Sequence, residues 1–168
     1  SVFKNITPLL IGNLADKMVL LRGDVLICME KWTLNAGIEN IISHISEFLK
    51  NDNTEMKNDI FKFLGNNRNL IEKNTTAQQY LKEFCGPLLK CLQDKIQQTR
   101  TNAEDFILFT LKYVNINTYL TGLKDLKPAI QSDLKKILDN IQLLHLENDA
   151  QNLNNMNTSN NNINNNKS

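Results

Sequence analysis

Glycine and proline are scarce, six and three in 168 residues. That scarcity disfavours the turn-dense pattern of a small β-sandwich or barrel. Neither sign of charge is in excess, since 19 Lys and Arg stand against 18 Asp and Glu. The net charge of +1 gives no bulk attraction for a polyanion such as nucleic acid, so any charge-based recognition has to be local. No apolar run approaches the roughly 20 residues that cross a bilayer. Met18 to Leu21 is broken by Arg22 and Asp24. Ser1 to Leu10 carries no basic stretch followed by an apolar core, so no secretory signal is read there, and a soluble, intracellular chain without membrane contact is expected. The three cysteines, Cys28, Cys85 and Cys91, are odd in number and lie in apolar helical surroundings. Buried, reduced thiols are expected of all three.

Apolar residues make up 41% of the chain, enough for the core of one domain. They recur in steps of three and four. Leu21, Val25, Cys28, Met29, Trp32 and Ala36 form one such stripe, and Leu81, Phe84, Cys85, Leu88 and Leu92 another. Further stripes run through Met56 to Leu64, Ala103 to Val114 and Ile130 to Ile141. This is the spacing of one-faced helices. Breaks fall at Asp16-Lys17, Ala36-Gly37, Asn51 to Asn53, Gly65 to Asn67, Asp94-Lys95 and Gly122. The pattern predicts an all-α fold with helix pairs over 2–15 with 19–36, 38–50 with 54–65 and 77–93 with 97–115, then a last helix near 128–147. Gly37 is placed to end its helix in a left-handed conformation, and Trp32 is expected in the core. From Asn148 the composition turns to Asn, too poor in apolar surface to offset ordering. The expected organisation is a helical domain over 1–147 and an Asn-rich disordered tail or linker over 148–168.

The breaks repeat. Leu14-Ala15-Asp16, Leu49-Lys50-Asn51 and Leu92-Gln93-Asp94 each lead into a short polar turn, and six residues after the last of each comes a basic residue, Arg22, Lys57 or Arg100. The offsets between copies are 35 and 43 residues, close to the length of HEAT and armadillo units. A helix pair with one apolar stripe per helix must stack on a neighbour to complete its core. About three hairpins of a HEAT-type α-solenoid, followed by a C-terminal helix, are therefore expected, with their turns along one edge. Residues on such an edge are free to be chosen by a partner. The candidates are Asp16, Lys17 and Met18; Asn51, Asp52, Asn53 and Thr54; and Asp94, Lys95 and Ile96. Arg22, Lys57 and Arg100 are equally compatible with partner contact and with tying neighbouring repeats together. Lys17 and Lys57 are both expected to be solvated.

The stretch from Leu14 to Leu64, the Trp32-x-x-x-x-Gly37 element, and the run from Cys85-Gly86-Pro87 to Lys112 followed by Leu126-Lys127-Pro128 resemble the later HEAT repeats of a TOG domain, the module of the ch-TOG and Dis-type microtubule polymerases. The resemblance spans about Pro8 to Asn140. It implies a tubulin-binding module, acting in microtubule growth and spindle organisation, that recognises αβ-tubulin or the microtubule plus end through its turns. By position those turns carry Asp16, Lys17, Met18, Asn51, Asp52, Asn53 and Lys95, with Arg22, Lys57 and Arg100 at the helix starts. Other microtubule-associated proteins are implied as further partners, and the cytoplasm, spindle and microtubule-organising centre as locations. Without the resemblance, the pattern reads as a general HEAT scaffold for a protein partner.

An enzyme finds little support in the residues. There is no Gly-rich phosphate loop or Ser nucleophile elbow, and His44 and His145 are too far apart in sequence for a local metal motif. No basic, aromatic-interleaved patch points to nucleic acid. The expectation is a non-catalytic chain with no cofactor and no metal.

Overall fold

The structure, a computed structural model, describes residues 2–164, with side chains over 5–155. It is all-helical, and no strand occurs among the described residues. In chain order the helices are α1 (Val2–Gly12), α2 (Val19–Ala36), α3 (Glu39–Phe48), α4 (Thr54–Asn66), α5 (Arg68–Glu72), α6 (Thr75–Tyr80), α7 (Cys85–Cys91), α8 (Gln97–Thr110), α9 (Ile116–Leu123) and α10 (Pro128–Asn164). Tighter 3-10 turns over Asn13–Ala15 and Leu81–Phe84 extend α1 and join α6 to α7.

Two rows of contacts organise these elements. In one row α1 packs on α3, α3 on α6, and α7 on α9. In the other α2 packs on α4, α4 on α8, and α8 on α10. The core lies between the rows, where Ile11, Leu14, Ile45, Leu49, Leu88 and Leu92 face Met29, Ile60, Phe63 and Phe106 from the opposite row. Phe106 sits in a ring cluster, 5.6 Å from both Phe84 and Phe109 and 6.4 Å from Phe61 between centroids. Such offset and edge-on pairs add to the area they bury.

Helix ends follow local chemistry. Asn53 and Asn74 cap α4 and α6 by accepting from the Met56 and Ala77 N–H groups, and Asn115 starts α9 by accepting from the Asn117 N–H. Gly37 takes φ 90°, where a side chain would be strained, and its N–H closes α2 on the Thr33 carbonyl.

Three elements differ from the sequence reading. The expected single helix over 77–93 is α6, a 3-10 turn and α7, because Pro87 lacks an N–H and its ring crowds the carbonyl four residues earlier, at Glu83. The expected helix to residue 115 ends at Thr110, and a separate α9 follows. Gly122 lies inside α9 and does not break it. α9 packs against α7 and, with α10, adds a fourth pair, held by the fully buried Tyr119, whose hydroxyl lies 2.6 Å from that of Thr110. Finally, α10 continues through the start of the Asn-rich segment to Asn164, and residues 165–168 lie outside the described residues.

Two core expectations are also corrected. Cys28 is exposed, whereas Cys85 and Cys91 are buried; the buried stripe of α2 is Val25, Met29 and Thr33. Trp32 is half-buried rather than enclosed, packed against the core with its indole N–H donated to the Thr7 hydroxyl at 3.1 Å.

Candidate functional site, the turn edge

The three turns singled out by sequence share one backbone design. Asp16, Asn51 and Asp94 each accept from the N–H two residues on, at Met18, Asn53 and Ile96, over 2.7, 2.9 and 2.9 Å. Those second residues are extended, with ψ of 113°, 111° and 123°, and the next residue in each case opens a helix. The polar side chain thus folds its own turn, as Asp and Asn do where a chain reverses. Asn115 repeats the device ahead of α9, accepting from the Asn117 N–H at 2.9 Å.

The basic residues six positions on are structural. Arg22 donates to the Asp16 carbonyl at 3.0 Å and to Asp59 of the next pair at 2.8 Å. Arg100 donates to the Asp94 carbonyl at 2.6 Å and also bonds Gln97. Lys57 departs from the expected solvation. Its side chain is 3% exposed and its ammonium lies 2.6 Å from Asp94, itself 7% exposed. Burial would raise the Asp94 carboxyl, but the Lys57 ammonium, the Ile96 N–H and the Lys95 charge together hold it below the usual carboxylate range. The pair is enclosed because Lys57 faces the following turn across the gap between α4 and α8, a direction the sequence does not encode.

Neighbouring turns are stitched in the same sense. Asn53 donates to the Ala15 carbonyl at 3.3 Å, and Lys90 donates to the Lys50 carbonyl at 2.6 Å and to Asp52 at 3.0 Å. The Lys90 ammonium holds the Asp52 carboxyl below its ordinary range. Lys90 was not among the sequence candidates; on α7 it reads as an ordinary solvated lysine, and only the distance of 40 residues to Lys50 hints at a link. Away from the turns, Asn67 donates to Glu30, Arg68 pairs with Asp105 above the Phe109 ring, and Lys112 pairs with Glu72. Four of these links, Arg22–Asp59, Lys57–Asp94, Glu30–Asn67 and Arg68–Asp105, span 37 residues each. These links tie α2 to the region of α4 and α5, and that region to the turn before α8 and to α8 itself.

Asp16, Lys17, Met18, Asn51, Asp52, Lys95 and Ile96 stay exposed, while Asn53 and Thr54 are half-covered. A shallow cleft between the second and third turns is lined by Asp52, Thr54, Lys57, Lys90, Asp94 and Lys95. A second, between the first and second, is lined by Asp16, Lys17, Val19, Arg22, Asn53 and Glu55. The edge is a row of mixed charges on rigid turns. Among the described residues no three His, Cys, Asp or Glu side chains converge to hold a metal ion, and no helix is long and apolar enough to cross a membrane. No protein-family description and no curated protein sequence matches this chain.

Proposed function

We propose that the chain is a non-catalytic helical-repeat module of TOG type, a short α-solenoid whose turn edge binds αβ-tubulin in the service of microtubule growth. The observation that carries the reading is the threefold turn, in which Asp16, Asn51 and Asp94 are consumed by their own backbone and Lys17, Met18, Asp52, Lys95 and Ile96 are held out at fixed spacing. Pre-ordered groups lose little freedom on binding. The 37-residue ladder and the two rows of helices support the solenoid. Lys17 and Lys95 are the free cations of the edge and suit an acidic partner, acting mainly on association rate. Arg22, Lys57 and Arg100 serve as braces behind them.

The test is binding of unpolymerised tubulin to the chain and to its Lys17→Glu/Lys95→Glu variant at two ionic strengths. The reversal is expected to slow association, more at low salt than at high, since exposed charges are screened beyond about 10 Å at 0.1 M. Tubulin affinity indifferent to both reversals in a folded variant would remove the turn edge as the contact, and binding of a different protein at the same edge would favour the general scaffold.

A further inference from the structure

The first helix pair carries an apolar face that the next two pairs lack. On α2, Leu20, Ile27 and Leu34 are 81%, 55% and 78% exposed. With the register set by the turns, the positions of Leu20 and Ile27 are taken by Glu55 and Lys62 on α4 and by Gln98 and Asp105 on α8, all exposed and all polar. A second set, Ile6, Leu21 and Cys28, is exposed as well, although its equivalents Ile41, Met56 and Phe63, and then Phe84, Thr99 and Phe106, are buried under the preceding pair. The two sets form one arc along α2, with Asp24 and Lys31 between them, both exposed and without an ion-pair partner among the described residues. Contiguous apolar surface of this kind marks an interaction site.

We propose that this arc pairs with the same arc of a second copy, α2 running antiparallel to α2 about a two-fold axis. Residues symmetric about the midpoint between Ile27 and Cys28 then meet. Asp24 faces Lys31 of the second copy and Lys31 its Asp24, so the charges on the arc complement their own image. A preceding helix pair in the register of the others would cover Ile6, Leu21 and Cys28 but leave Leu20, Ile27 and Leu34 in water, as Glu55 and Lys62 are left. Head-to-tail stacking would lay the arc on the opposite end, where the surface is charged, with Lys124, Asp125, Lys127, Asp133, Lys135 and Lys136 exposed.

Sedimentation equilibrium of the 168-residue chain is expected to give the mass of a dimer, and Asp24→Lys to weaken it by roughly tenfold or more, as for a desolvated charge at an interface centre. The swap Asp24→Lys/Lys31→Asp should restore it. Both positions are exposed, so circular dichroism should be unchanged. Diamide, which takes two electrons and two protons from a pair of thiols, should join the copies through Cys28 alone, since Cys85 and Cys91 are buried. A monomeric wild-type chain at every concentration would overturn the proposal and leave the arc to a different occupant. A dimer that Asp24→Lys weakens without rescue by the swap would overturn the antiparallel pairing.

Discussion

At one end of the molecule Leu9, Leu20, Ile27 and Leu34 stand in water; at the other, the outward positions of α10 are Asp133, Lys135, Lys136 and Asp139. Both ends are built from a helix pair. They differ in what the pair expects beyond itself. The outward positions of α10 between Asp133 and Asp139 are charged, apolar side chains reach its surface further on at Leu143, Leu144, Leu146 and Leu153, and its inner face gives Leu134, Leu138 and Ile141, with Leu123 of α9, to the core. The α1/α2 pair keeps apolar side chains, Leu20, Ile27 and Leu34, on its outward face. Burial along this chain is thus set as much by the presence of a neighbour as by residue type, and Cys28, Phe63 and Phe106, at one register position, make the point directly.

The sharpest way to break the comparison is to truncate along that position. Phe106→Ala should cost about 3–5 kcal/mol, the usual range for deleting an enclosed aromatic ring, whereas Cys28→Ala, made in the Asp24→Lys background where the chain is monomeric, should stay within about 0.5 kcal/mol, as an exposed substitution does. Urea unfolding of the two variants checks both. Equal costs would mean that the first pair is not open.

Next in size is the buried bridge. Asp94→Ala leaves Lys57 enclosed without its partner and should cost about 3 kcal/mol. The same pair shapes the acid limb. The folded Asp94 carboxyl lies below its ordinary 3.8, so its stabilisation is present above that value and is lost as pH falls through the lower folded one. Lys57→Met should flatten the fall in stability in that acidic window, read from thermal midpoints across pH.

Trp32→Ala is expected to cost about 2 kcal/mol, below the enclosed aromatic range, because the ring is only partly covered and its hydrogen bond to Thr7 is neutral. A cost as large as that of Phe106→Ala would show the ring to be buried after all.

The smallest effect separates the thiols. Burial pushes Cys85 and Cys91 up from 9.0 to about 11. Their contribution is complete below pH 9.0 and declines as pH rises toward 11, since only the unfolded chain then ionises them readily. Cys91→Ala should reduce that alkaline slope, and in the monomeric Asp24→Lys variant an alkylating reagent at neutral pH should modify Cys28 first.

Much of the helical layout was legible because it is local. Asn53 and Gly37 announce helix ends through side-chain capping and a positive φ, and Asp16, Asn51 and Asp94 mark turns that bond to their own backbone. What escaped is lateral. The chain pattern around Lys57 is that of a solvated helix start, and its burial depends on Asp94, 37 residues away. Cys28 sits on a stripe that the next two pairs bury, yet it is exposed, because burial there depends on packing that periodicity does not encode. α9 escaped for a different reason: Ile116, Asn117, Thr118, Tyr119 and Gly122 are weak helix formers, and the helix rests on tertiary contact through Tyr119.

The self-bonded turns carry one more consequence, for amide exchange with solvent. The N–H groups of Met18, Asn53 and Ile96 lie in surface turns where rapid exchange is the rule, yet each is tied to a side-chain oxygen two residues back. Three isolated, slowly exchanging amides should therefore stand out among fast neighbours. Asp16→Ala, Asn51→Ala or Asp94→Ala would each release one of them, which makes every turn reportable by its own signal.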